Sequence, residues 1–275
     1  MTRVPASGVR SVIVCAFLAA SCSRVPRVAL PSGAGSPFPG FSAAYAQSVA
    51  ECRSVKTMSA SLSLSGRAGS TRLSARIDAG LADSGRLRLE GYPKVSFGGK
   101  PFFVLVSRGD DATLVLNRDA RVLRGARAAA IIEALTGVAL DPDQLRAVVS
   151  GCGLGSADPA EGRTYENGWA SADAGDATIF LRQIDGRWRV AAVRKGALTI
   201  EYRDFASVRP STVRLHTSSS AGAVPADITL RLSQVEINAP LEDAVFSPDV
   251  PRDAAPITLD ELRRAGPLGD RDDEP

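Results

Sequence analysis

Histidine, aromatic rings and long apolar runs are all scarce in this chain of 275 residues. Its single histidine, His216, stands beside Leu215 in an alternating stretch, where a solvent-facing strand residue is expected rather than a catalytic base. No group of His, Cys, Asp and Glu has metal-ligand spacing. The run Gly151-Cys152-Gly153-Leu154-Gly155 matches neither a phosphate-binding loop nor a dinucleotide fingerprint, and it follows a helical stretch rather than a strand. No catalytic activity, cofactor or metal is therefore expected. Aromatic residues make up 5% of the chain, which leaves little material for stacking sugars or bases. Charge is nearly balanced, with 33 basic residues against 30 acidic ones. That balance gives no reason to expect nucleic acid as a partner, or an anionic membrane bound by charge alone. The apolar run at residues 11–20, SVIVCAFLAA, is too short to cross a bilayer as a helix.

What is present begins with the layout of a secretory signal. Arg3 and Arg10 precede that run, which ends in small residues. The stretch Leu18-Ala19-Ala20-Ser21-Cys22 resembles the lipobox of bacterial lipoproteins. This resemblance implies cleavage after residue 21, acylation of Cys22 and, with Ser23 rather than aspartate next, sorting to the periplasmic face of the outer membrane. An ordinary signal with a chance cysteine is the alternative. Acyl chains would supply the membrane affinity, since several chains anchor stably where one does not. Residues 22–41 are rich in Pro, Gly and Ser and are expected to form a flexible tether spanning on the order of 25 Å. Cys15 leaves with the signal and Cys22 is taken by lipid, so Cys52 and Cys152 remain. In an oxidising compartment they are expected to pair, the alternative being two buried free thiols. A bridge would remove roughly 4–5 kcal/mol of unfolded-chain freedom in the entropy model.

Helical spacing through Tyr45, Val49 and Cys52 predicts a short amphipathic helix over residues 42–56. From Met58 the period changes to two, and Met58, Ala60, Leu62 and Leu64 alternate with serines. The same alternation carries Leu73, Ala75 and Ile77, then Leu87 and Leu89, then Leu114 and Leu116, and returns after residue 187 through Ile228, Leu230 and Leu232. A phase shift at Val235 and Ile237 predicts a bulge near Ser233, and Asp185-Gly186 predicts a tight hairpin turn. So many one-sided strands predict a mainly β, α+β protein whose antiparallel sheet must curl or be covered. The cover is expected from a helix through Ile131, Ile132 and Leu135, stopped by Gly137, and a second opened by Asp141-Pro142-Asp143-Gln144. A bridge at Cys152 would tie this insert to the first helix. The main domain is placed at residues 42–250. An extension at 251–275 holds a short helix, with Thr258 and Glu261 as capping box, and a polar tail expected to be disordered.

Three stretches carry a family resemblance: Gly85-Arg86-Leu87-Arg88-Leu89 leading into Ser96-Phe97-Gly98, Leu135 to Leu140 followed by Asp143 to Gly151, and Pro240-Leu241 to Phe246-Ser247-Pro248. In this order they resemble the periplasmic lipoprotein carriers LolA and LolB, and most closely the LolB receptors. The resemblance implies an incomplete antiparallel barrel lidded by helices that holds lipoprotein acyl chains in an apolar cavity. Leu62, Leu64, Leu87, Leu89, Leu114, Leu116, Ile131, Ile132 and Leu135 are then the candidate lining. It also implies a LolA-like carrier as partner and a membrane-insertion loop, here Val95, Phe97 and Gly98, with Ser-Phe-Gly where the family has Pro-Leu-Gly. Two alternatives stay open. One is a relative that binds another amphiphile such as a glycolipid. The other is a structural envelope lipoprotein whose interior is solid, because alternation cannot separate a filled barrel from a hollow one.

Overall fold

The period-two stretches become strands wherever glycine, asparagine and aspartate punctuate them. The computed structural model describes residues 27–94, 99–218, 225–265 and 268. The first half of the chain forms β1 (Ser36–Phe38), helix α1 (Phe41–Arg53), β2 (Thr57–Ala68), β3 (Thr71–Ala82), β4 (Arg86–Tyr92), β5 (Phe103–Arg108), β6 (Asp111–Leu116) and β7 (Arg121–Ala126). Helices α2 (Ala128–Thr136) and α3 (Pro142–Ser150) interrupt the strands. Then follow β8 (Gly162–Tyr165), β9 (Trp169–Ala174), β10 (Ala177–Ile184), β11 (Arg187–Lys195), β12 (Leu198–Ala206), β13 (Arg209–Thr217) and β14 (Ala226–Ile237). A two-residue β15 (Ala255–Pro256) and helix α4 (Leu259–Ala265) end the series.

All these strands join one sheet, ordered β1-β8-β9-β10-β11-β12-β13-β14-β2-β3-β4-β5-β6-β7-β15. It is antiparallel apart from the short β15–β7 pair, and it curls without closing, with β1 and β15 as its edges. The architecture is the expected one, mainly β with a helical cover. Register lines the apolar faces up: Leu62 lies opposite Ile77 on one side and Leu232 on the other, and Leu64 lies between Ala75 and Leu230. Asp185 and Gly186 both adopt positive φ, the geometry a two-residue hairpin turn requires. The expected bulge lies between Ser233 and Glu236.

The concave side is covered by α1, α2 and α3. Gly137 and Gly151 end α2 and α3 in the left-handed conformation. At the start of α3 the Asp141 carboxylate accepts from the Gln144 amide at 2.8 Å, and the Gln144 side chain accepts from the Asp141 amide at 3.1 Å. Ile131, Ile132, Leu135, Val148 and Val149 bury themselves against the sheet in one apolar cluster with the inward-facing strand residues.

The N-terminal segment departs from expectation. Residues 27–41 are not a free coil. Val28 and Leu30 pack on Trp169, Phe180, Ala191 and Ala192 on the convex side, and β1 pairs with β8. The Val28 amide donates to Glu201 Oε1 at 3.1 Å, and Arg163 Nη1 donates to the Ala34 carbonyl at 2.6 Å. The Pro/Gly/Ser composition hid this strap because its few apolar residues find their partners only across the fold. Beyond residue 250 the expected short helix is α4, where the Glu261 amide donates to Thr258 Oγ1 at 3.2 Å and Glu261 Oε2 accepts from the Thr258 amide at 2.8 Å. The expected polar tail lies outside the described residues, and Ile257, Leu262 and Leu268 of this segment join the main apolar cluster. Phe246, in the extended stretch before it, is fully buried on the convex face against Val104 and Val106.

Candidate functional site

The interior between sheet and cover is the candidate binding region, and its lining follows from strand alternation. Leu62 and Leu64 project inward from β2, Leu87 and Leu89 from β4, and Leu114 and Leu116 from β6. They meet Ile131, Ile132 and Leu135 of α2. All nine are between 0 and 7% exposed and belong to one contiguous cluster. Surface depressions among the described residues are lined by other side chains, one of them of about 1010 Å³ beside the N-terminal strap. In this conformation the interior is packed with side chains.

Polar groups in the interior are few. The Ser107 hydroxyl donates to the Gly85 carbonyl at 3.0 Å. The Tyr202 hydroxyl lies wholly inside, and burial pushes its pKa well above the ordinary phenol value, with the Gly153 backbone acting in the opposite direction. No His, Cys, Asp or Glu cluster able to hold a metal occurs among the described residues. What such a lining can do is bury aliphatic chain, at roughly 0.8 kcal/mol per CH₂.

Cys52 and Cys152 are joined by a disulfide with Cα atoms 5.5 Å apart. It links the last turn of α1 to the residue after the α3 stop, and Arg146 of α3 donates to the Val55 carbonyl nearby. Helices α1 and α3 are therefore coupled to each other as well as packed on the sheet.

Cys22, Val95, Phe97 and Gly98 lie outside the described residues. The base of the loop that carries the last three is well held. The Phe102 amide donates to the Gly91 carbonyl at 2.8 Å, and Asn117 Nδ2 donates to the Pro101 carbonyl at 2.7 Å. Before the loop, burial and then the Glu90 carboxylate push the Tyr92 hydroxyl up to about 12, with Glu90 accepting from it at 2.7 Å.

Sequence reasoning missed a polar cluster on the convex face. Glu201 is 1% exposed, and its carboxylate receives Val28 N–H, Arg203 Nη2 at 2.7 Å and His216 Nε2 at 3.2 Å. His216 is therefore covered rather than solvent-facing. Burial lowers its pKa below the ordinary histidine value, while Glu201 opposes that shift. Beside it, Arg214 holds the Asp227 carboxyl below the usual range, with Arg27 assisting. The pattern Ile200-Glu201-Tyr202 shows only that Glu201 faces outward. Its burial comes from a strap 173 positions away.

No family model and no curated protein matches the chain. Solved structures do resemble it. A LolA superfamily protein from Nitrosomonas europaea superposes with a TM-score of 0.49 and 11% identity, covering 74% of this chain and 97% of that one. A DUF1329 family protein from Desulfovibrio piger gives 0.42 and 12%, covering 76% of this chain and 97% of its own. A domain from Vibrio parahaemolyticus named for outer membrane lipoprotein sorting also gives 0.42 and 12%, over 80% of this chain and 97% of that one.

Proposed function

We propose that this protein is a lipid-anchored envelope carrier or receptor that takes acyl chains of lipoproteins between its sheet and helical cover and delivers them to the outer membrane. It acts by binding and transfer rather than catalysis. The observation that carries this reading is the division of the interior. One side is a continuous curled sheet, and the other is a set of short helices that meet it through aliphatic side chains, from Ile131 and Leu135 to Val148 and Val149. A cover attached in this way can part from the sheet without breaking strand pairing, and the surface it uncovers suits flexible hydrocarbon. The packed interior is then the unloaded, closed state. No described helix is long and apolar enough to cross a membrane, and the acylated Cys22 would supply the attachment.

The tight burial of the nine lining candidates favours a second reading, a structural envelope lipoprotein with a solid interior. Mass spectrometry of the protein purified from membranes separates the two. Bound lipid or acylated peptide at near-stoichiometric yield is expected of the carrier. If the purified protein is free of lipid and depletion leaves lipoprotein sorting normal, the carrier reading fails.

A further inference from the structure

The strand ends form two rims, and one of them gathers cations that the nearly balanced composition does not reveal. Register puts the β2–β3 turn, the two ends of the β4–β5 loop, the β6–β7 turn and the start of β14 on the same rim. Ala68 pairs with Thr71 and Ala226, Arg76 with Tyr92, and Phe103 with Leu116. Along the arc from β2 to β7 this rim exposes Arg67, Arg72, Lys94, Lys100 and Arg118 against Asp119 among the described residues, and Asp227 on the adjoining end of β14 is held by Arg214 and Arg27. The opposite ends of the same strands interleave Asp83, Asp110 and Asp111 with Arg86, Arg108, Arg124 and Arg127. Cations are engaged at both rims: Arg86 pairs with Asp83 and Asp243, Arg108 donates to the Phe246 and Asp243 carbonyls, Arg67 donates to the Ser70 carbonyl, and Arg118 lies over the Phe102 ring.

An independent observation points to the same rim. The N-terminal strap reaches it at Arg27, whose guanidinium lies 3.5 Å from Asp227, the strand partner of Arg67. The sequence leaves five residues from Cys22 to Arg27. Fully extended they reach at most about 17 Å. A lipid on Cys22 would hold this rim, and not the other, within that distance of the bilayer.

We propose that the rim carrying Arg67, Arg72, Lys94, Lys100 and Arg118 is the face this protein turns to a bilayer surface of anionic phospholipid headgroups. The proposal deepens the carrier reading and rests on it for the membrane, but it does not require an acyl-filled interior. Each exposed cation near such a surface contributes about a fivefold factor in affinity, and the attraction is screened by salt. The sequence supplies a second anionic candidate for the rim. The Ser74 amide donates to the buried Leu268 at this end of β3, and the seven residues that follow include Asp270, Asp272, Asp273 and Glu274.

The test uses the mature full chain with Cys22→Ala, so that acyl chains do not mask the rim, floated with vesicles of phosphatidylcholine alone or mixed with phosphatidylglycerol. Binding to the anionic vesicles only, weakened by salt, is expected. Lys100→Gln with Arg118→Gln should reduce it by about 25-fold, while the matched pair Arg124→Gln with Arg127→Gln on the opposite rim should leave it within about twofold, both variants being checked for unchanged thermal unfolding. Equal binding to neutral vesicles, or equal loss from both pairs, would overturn the assignment. So would anionic binding that appears only when the chain is ended at Leu268, because the acidic segment would then be the rim's occupant. If anionic binding fails while lipid still co-purifies, the rim assignment falls and the carrier reading stands. If anionic binding holds without co-purified lipid, the rim assignment stands alone.

Discussion

Gly91 on β4 faces the ring of Phe103 so closely that a Cβ placed there would meet it at 2.1 Å. Phe103 is 1% exposed and cannot retreat into solvent. Gly80 on the adjacent strand has nothing nearer than 3.9 Å to the same added carbon. Gly91→Ala is therefore expected to cost about 2 kcal/mol or more through overpacking, and Gly80→Ala to change stability by less than about 0.5 kcal/mol or to raise it. Urea unfolding of the two variants decides the matter, and equal midpoints would mean that Phe103 has room to move. His216 supplies a second residue-scale effect, with a sign that follows from its burial. Its folded pKa lies below the ordinary value, so the folded state binds fewer protons than the unfolded one. The stability it contributes is complete above about pH 6.5 and is lost as pH falls through the folded value. Glu201, Arg27 and Asp227 are the charges that face it, and their net effect leaves burial dominant. The unfolding midpoint should fall as pH drops below about 6.5, and His216→Gln should flatten that slope. An unchanged slope in the variant would assign it to another group.

Elements announced by local chemistry were legible in the sequence, and elements fixed by distant partners were not. Asp185-Gly186 sets a turn through its own φ angles, and Asp141 with Gln144 closes a capping box within one turn of helix. The bulge after Ser233 was readable because a single inserted residue reverses every side chain that follows. By contrast, β1 exists because Ser36 pairs with Thr164 on an open sheet edge, and nothing within SPF marks it as a strand. Phe246 belongs to one of the three stretches that carry the family resemblance, yet its place on the convex face depends on Val104 and Val106 far earlier in the chain. The same limit applies to the binding region. Period two shows that Leu62, Leu87 and Leu114 share a face, while their packing against Ile131 is a property of volume and not of order. Charge behaved in the same way, since a composition close to neutral conceals a rim where cations collect.

At the scale of the whole molecule, one long sheet and three short helices have different claims to independence. The sheet strands share backbone hydrogen bonds with both neighbours from β8 to β7. Helices α2 and α3 have only their internal bonds, side-chain packing, the Arg146 contact to Val55 and the tie through Cys152. A carrier must open between these two parts below the energy of global unfolding, whereas a solid structural protein need not. The disulfide closes a loop of 100 residues and joins α1 to the end of α3, so these two helices are expected to open as one body. Native-state hydrogen exchange can read this directly. In the carrier, amides of α2 and α3 should exchange through a shared sub-global opening, with free energies well below those of β2 and β3. Cys52→Ser with Cys152→Ser should separate the cover into parts of unequal protection, because α1 and α3 would no longer be bound to one another. Protection in α2 and α3 equal to that in β2 and β3 would mean that the cover leaves the sheet only when the protein unfolds. An interior released only by global unfolding cannot load and unload a cargo, and the structural reading would then stand in place of the carrier.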